Sequence, residues 1–177
     1  MPKIDESISF VPVNMAIMTV SDTRTADNDK SGDTLHRLAT QDGHHVVSRI
    51  IVQDDVAAIQ KQLSLWINDD GIDVIIATGG TGVTGRDVTP EAFEPMYEKK
   101  IEGFGELFRM LSYKIIGTST IQSRCTAGVA NGTYMFALPG SPGACKDGWN
   151  GILKEQLDIR YRPCNFVEMM PRLKEHL

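Results

Sequence analysis

Three aspartates and one glycine-rich turn carry the chemistry-bearing pattern of this chain. Thr78-Gly79-Gly80-Thr81-Gly82 runs through Val83-Thr84-Gly85 into Arg86-Asp87-Val88-Thr89-Pro90-Glu91, so four glycines fall within seven residues. Glycines leave backbone N–H groups uncovered by side chains, which lets an anion approach closely. Asp87 sets a carboxylate beside that surface. A carboxylate facing a phosphate is repelled unless a cation lies between them, so the pattern implies metal-bridged phosphate chemistry. Asp22 and Asp54 join Asp87 once the elements that carry them are placed.

Apolar, β-branched runs predict strands over Asn14–Val20, His45–Val52 and Ile72–Thr78. Helical spacing of Leu35 with Leu38, and of Ile59, Leu63 and Trp66, predicts helices between them. Ser31 is the expected cap of the first helix, and Thr89 before Pro90 that of the helix after the glycine turn. Glu102 to Ile116 reads as a helix whose stripe of Phe104, Leu107, Phe108 and Leu111 suits a core or a subunit interface. Asn131-Gly132 predicts a tight hairpin before Pro139-Gly140-Ser141-Pro142, which opens a last long helix. Strands alternating with helices imply a mostly parallel sheet covered on both faces, in one α/β domain over residues 13–177. Residues 1–12 read as a poorly structured, flexible arm containing two prolines.

In an open α/β sheet ligands bind beyond the carboxyl ends of the strands. Asp22, Asp54 and Asp87 each follow one of the first three strands, so topology alone brings them to one edge with the glycine turn. Each has a plainer reading. Asp22 suits an Asx turn, and Asp54 could cap the following helix. Asp87 is harder to dismiss, because Thr89 already offers a cap.

Two familiar phosphate motifs come close and fail. Gly80 to Gly85 has the spacing of the dinucleotide fingerprint, but that motif needs its helix to open at once, and here it is delayed to Thr89-Pro90. Walker A spacing also holds between Gly80 and Gly85, yet Arg86-Asp87 stands where lysine and a hydroxyl residue belong. A nicotinamide-dependent oxidoreductase is therefore disfavoured.

The 177 residues carry a net charge of −5, with scattered basic residues, which speaks against nucleic acid as a partner. No apolar run approaches membrane-spanning length, and the first residues lack a signal-peptide core. Cys125, Cys145 and Cys164 are odd in number and widely spaced, which points to a reducing cytoplasm. His36, His44, His45 and His176 form no metal-binding pair and receive no role. Ser21 and Ser31 lack a nucleophile-elbow setting, which argues against a hydrolase triad.

Taken in order, Thr19-Val20-Ser21-Asp22, Asp29-Lys30-Ser31-Gly32, Thr78 to Gly82, Arg86 to Glu91 and Leu138-Pro139-Gly140-Ser141-Pro142 resemble the MoaB/Mog family of molybdenum-cofactor biosynthesis proteins. Gly103 to Ser112, Gly117-Thr118-Ser119-Thr120 and Arg162 to Phe166 are similar to its MoaB branch. The resemblance implies a three-layer α/β/α sandwich with a mixed edge made by the late hairpin. It implies magnesium-assisted joining of molybdopterin to ATP, giving adenylylated molybdopterin and pyrophosphate. The acids essential in active members fall on Asp54 and Asp87, which would be catalytic and hold the metal. Thr78, Gly79, Gly80, Thr81 and Gly82 would line the site where pterin phosphate and nucleotide meet. Asp22, Ser31, Pro139, Gly140 and Ser141 occupy matching pocket positions.

The MoaB branch also contains members without these acids, so a non-catalytic molybdopterin-binding or assembly role is the alternative. Gln53 departs from the proline that commonly precedes the first acid. A homo-oligomer, trimer or hexamer, and contact with other proteins of the pathway are further implications.

Overall fold

The computed structural model describes residues 3–175, so His176 lies outside the described residues. In chain order the first elements are β1 (Lys3–Ile4), β2 (Asn14–Val20), α1 (Lys30–Gln41), β3 (His45–Val52) and α2 (Val56–Ile67). Next come β4 (Val74–Thr78), α3 (Thr89–Phe93), β5 (Lys99–Lys100) and α4 (Glu102–Ile116). The chain continues with β6 (Thr126–Ala130), β7 (Thr133–Leu138), α5 (Pro142–Gly148), a π-helical turn over Trp149–Leu153, and α6 (Lys154–Gln156). It finishes with β8 (Tyr161–Arg162) and α7 (Phe166–Met169).

Alternation along β2 shows how both faces of the sheet come to be covered. Met15 and Ile17 pack with Leu35 and Ala39 of α1, Phe104 and Phe108 of α4, and Trp149. Ala16 and Met18 point the other way, onto Ile59 and Leu63 of α2 and Phe93 of α3. Successive strand side chains face opposite sides, so a strand apolar throughout requires helices on both. The result is the expected α/β/α sandwich.

The six-stranded sheet has the order β3-β2-β4-β7-β6-β5. Its first four strands are parallel, while β6 runs antiparallel to β7 and β5 antiparallel to β6. The hairpin between β6 and β7 turns on Asn131 and Gly132, both at positive φ. That conformation matches the twist of the flanking strands, and the Asn-Gly pair favours it. In α4 only part of the expected stripe is core: Phe104 and Phe108 are buried, whereas Leu107 is exposed.

The N-terminal arm departs from expectation. Lys3–Ile4 pairs antiparallel with Tyr161–Arg162. Phe10 packs against the His44 ring at 5.2 Å and lies under the Arg160 guanidinium, also at 5.2 Å. Local composition suggested disorder because the arm's partners lie at the far end of the chain. Among the described residues, no helix is long and apolar enough to cross a membrane.

Candidate functional site

The glycine turn leaves β4 under tight steric control. Gly79 has φ +104°, and a Cβ there would lie 2.3 Å from the Val20 carbonyl oxygen. Gly80 has φ +63°, and its Cβ would meet the Thr89 hydroxyl at 2.4 Å. Gly85 is different, since a Cβ would meet nothing within 4 Å. Thus the first two glycines are dictated by the backbone itself.

Thr89 does not cap α3 as expected; its hydroxyl donates to the Gly79 carbonyl at 2.7 Å, and its amide to Gly80 O at 2.9 Å. The buried carbonyl of a sharp turn needs a donor, and that demand outweighs the cap. Val88 holds the cap position with no side-chain bond. Arg124 closes the other side of the loop. Its guanidinium donates to Gly82 O at 2.6 Å, to Asp87 O at 2.7 Å and to the Glu91 carboxylate, while its amide donates to Thr81 O at 2.9 Å.

Asp87 lies back over Gly82, whose Cβ would fall 2.7 Å from Asp87 Oδ2. That oxygen accepts from the Thr84 amide and hydroxyl at 2.8 and 2.7 Å. Partial burial opposes its charge, yet the Thr84 hydroxyl and the amides of Thr84 and Gly82 hold the carboxyl below the usual range. Asp54 goes the opposite way. Burial raises its carboxyl, the charges of Asp22 and Asp87 push in the same direction, and the Asp22 amide and Arg86 oppose them. Asp54 is also not a cap, because Asp55 accepts from Ala58 N at 2.8 Å and fills that role for α2.

The Asp22 and Asp54 loops pin one another. Asp22 N donates to Asp54 Oδ2 at 2.9 Å, and Asp54 N donates to Asp22 Oδ1 at 3.2 Å. The second oxygen of Asp22 accepts from Arg86 Nε and Nη2 at 3.0 and 2.6 Å. That Arg86 contact holds the Asp22 carboxyl below its ordinary range.

Asp29, not Ser31, caps α1, accepting from Gly32 N at 2.9 Å. Ser31 instead donates to Gly140 O at 2.8 Å, and Thr78 donates to Pro139 O at 2.9 Å, so the strand-end loops are tied together. Ser141 caps α5 through the Ala144 amide. Asp29 is only 1% exposed and pairs with Arg49 at 2.7 Å. Burial works against its charge, but Arg49, the Gly32 amide and the Thr19 hydroxyl hold the carboxyl below the usual range.

Arg49→Ala is expected to cost about 2 kcal/mol, less than for a fully enclosed pair because Arg49 is partly exposed. Since the folded-state carboxyl is depressed, the pair's stabilisation is present above the ordinary carboxylate range and is lost as pH falls through the folded value. Urea unfolding at pH 7 and at a pH below the ordinary carboxylate range measures both, and a gap between wild type and variant that did not shrink at the lower pH would contradict the assignment.

These loops enclose a two-lobed cleft at the carboxyl ends of β2, β4 and β7. A polar lobe of about 310 Å³ is lined by Ser21, Arg24, Ser31, Asp54, Thr78, Gly79 and Arg86 among others. A more apolar lobe of about 380 Å³ is lined by Thr81, Gly82, Phe108, Ile116, Gln122, Pro139 and Ser141. Gly80, Asp87 and Gly140 belong to both, and so mark the junction. Asp22 lines neither lobe, because its carboxylate is turned onto Arg86 and the Asp54 amide. Among the described residues, no group of three or more His, Cys, Asp or Glu could by itself hold a metal ion. Sequence reasoning missed Arg124, although the Asn131-Gly132 hairpin contained the signal. It requires the antiparallel β6 to start at the edge where the parallel strands end.

Residues 16–158 match the family described as "Probable molybdopterin binding domain", which sets the class of protein that fold and cleft define. Molybdenum cofactor biosynthesis protein B of Escherichia coli (strain K12) is 50% identical over 169 residues, covering 96% of this chain and 98% of that protein. A crystal structure of a molybdenum cofactor biosynthesis protein B superposes with TM-score 0.84 at 38% identity, covering 93% of this chain and 98% of the other. The tungsten cofactor synthesizing protein MoaB from Pyrococcus furiosus gives TM-score 0.73 at 37% identity, covering 81% and 92%. The chain belongs to the MoaB/Mog family of molybdenum-cofactor biosynthesis proteins.

Proposed function

We propose that this protein adenylylates molybdopterin, taking ATP as the second substrate and releasing pyrophosphate. The observation that carries the reading is the meeting of a polar and an apolar lobe at Gly80, Asp87 and Gly140. A pterin with a terminal phosphate and a nucleoside triphosphate need such a pair of lobes, joined where their phosphates react. A terminal phosphate oxygen of molybdopterin attacks the α-phosphorus, a new P–O bond forms, and the bond to the β-phosphate oxygen breaks. The nucleophile is already anionic, so no general base is needed, and alignment with charge neutralisation is the main requirement.

Asp54 Oδ2 accepts from the Asp22 amide and Asp87 Oδ2 from Thr84, so Oδ1 of each is the oxygen that would serve a cation. Asp29, which also lines the lobe, is paired with Arg49, and Asp22 with Arg86. The two remaining carboxylates suit magnesium, which is commonly held by one or two carboxylates together with substrate phosphates. When bound, the ion supplies charge neutralisation for the leaving pyrophosphate. Arg124 and Thr89 keep the turn and Asp87 in place, and Asp22 orients the Asp54 loop. Mixing the protein with molybdopterin, ATP and magnesium should yield adenylylated molybdopterin and pyrophosphate in equal amounts. Molybdopterin binding without product at saturating ATP would overturn the enzyme reading in favour of an assembly role.

Self-association is proposed on the ridge made by α4 and the 3₁₀ turn after it, Gly117–Gln122. Ile115 is 63% and Ile121 81% exposed there, and Met110 and Tyr113 are exposed on another side of the same helix. Large apolar side chains grouped on a surface mark an interaction site. Ile115→Glu with Ile121→Glu should convert a trimer or hexamer to a monomer in sedimentation velocity. An unchanged coefficient would remove this face from the interface.

A further inference from the structure

Arg86 and Asp22 form a bridge beside the polar lobe whose two ends have different relations to it. Arg86 lines the lobe, whereas Asp22 does not. Arg86 Nε and Nη2 both donate to the one oxygen Asp22 Oδ2, at 3.0 and 2.6 Å, and the pair joins the loop after β2 to the loop after β4. Its side chains are 67% and 37% exposed, and among the described residues the Arg86 guanidinium makes no other hydrogen bond, with the charges of Asp54 and Asp55 adding a weaker attraction. A second cation, Arg24, lines the same lobe and makes one long bond, 3.4 Å, to Asn28 O. The lobe therefore has two guanidiniums at its wall, one of them neutralised by an acid outside it.

We propose that Arg86 is an exchangeable phosphate-binding residue, held by Asp22 in the free protein and transferred to a polyphosphate when one enters the polar lobe. This rests on the reading of that lobe as the polyphosphate site. Guanidinium binds phosphate bidentately with the same fork it presents to a carboxylate, so the exchange conserves bond number. The magnitudes favour it. An exposed ion pair shifts an equilibrium by no more than about fivefold, whereas a charge-assisted pair inside a cleft is less screened. Asp22 then keeps its place, because its other oxygen still accepts from the Asp54 amide. Asp22 is thus a competitor of the ligand, and its presence weakens binding by the reciprocal of the fraction of Arg86 left free.

The test is a double-mutant cycle on inorganic pyrophosphate binding by calorimetry, with excess magnesium and fixed ionic strength. Asp22→Asn retains an acceptor for the Asp54 amide while releasing Arg86, and Arg86→Gln removes the exchangeable cation. Asp22→Asn should tighten pyrophosphate binding about threefold to fivefold when Arg86 is present. In the Arg86→Gln background, itself about tenfold weaker than wild type, the same change should alter affinity by less than about twofold.

An equal gain in both backgrounds would reduce the effect to plain charge removal and overturn the proposal. So would weaker binding by Asp22→Asn, which would make Asp22 a ligand contact, or unaltered binding by Arg86→Gln. No pyrophosphate binding by any variant would overturn both the clasp and the polyphosphate reading of the lobe. Binding is read without molybdopterin or turnover. A protein that shows this cycle yet forms no adenylylated product therefore sinks the enzyme reading while leaving the clasp in place.

Discussion

Asp87→Ala is expected to lower the rate of adenylylated molybdopterin formation by about a thousandfold, and Asp54→Ala by a similar factor. Both carboxylates line the polar lobe, and Asp87 also stands at its junction with the apolar one. The loss should fall mainly on kcat, because charge on the departing pyrophosphate develops in the transition state. Asp54→Ala removes the acceptor of the Asp22 amide and Asp87→Ala that of the Thr84 amide and hydroxyl, so each should also cost about 1 kcal/mol of stability, too little to unfold the protein. Asp55→Ala is the matched control, since it removes the α2 cap and should cost about 1 kcal/mol of stability with little loss of rate. Unchanged product formation by both Asp54→Ala and Asp87→Ala would refute the proposed role of the two acids.

Gly79→Ala should destabilise the fold by about 4 kcal/mol, the largest stability loss expected at the site. Two costs add. The residue sits at φ +104°, which side-chain-bearing residues rarely adopt, and its Cβ would overlap the Val20 carbonyl at 2.3 Å. That carbonyl belongs to the central strand β2, so relief requires moving strand backbone and not a flexible side chain. For a chain of this size the midpoint should fall by roughly 8 to 16 °C. Gly85→Ala provides the contrast, because no atom lies within 4 Å of its added methyl, and it should be near neutral. Equal thermal midpoints for the two variants would show that the turn is not held against β2 as described.

Much of the sheet was readable in advance because its strands are apolar, short and followed by acids. β2 and β3 begin and end where their patterns do, and the Asn-Gly hairpin formed at Asn131 and Gly132. What escaped reading was which of several equivalent polar groups serves each local need. Asp29 and Ser31 could both cap α1, as could Asp54 and Asp55 for α2, and only the three-dimensional partners decide. Ser31 is drawn off by Gly140, Thr89 by the Gly79 carbonyl, and Asp54 by the Asp22 amide. Arg49 and Arg124 escaped for a related reason. Each works on residues distant in sequence, and a lone arginine bears no local mark of its partner. The pairing of β1 with β8 was hidden by the same distance.

The bonds that close the cleft have one more consequence, for the order in which the molecule is assembled. They join residues 32, 61 and 109 positions apart, in the Asp22–Asp54, Thr78–Pro139 and Ser31–Gly140 contacts. Closing such spans costs chain entropy, which pairing of the sheet between them offsets, so these contacts are expected to form late. No excised piece lacking either the β2 loop or the β7 loop can present the complete cleft. Occupancy of the cleft should therefore slow exchange of deeply protected amides throughout β2, β4 and β7 together, and not only of amides at the glycine turn.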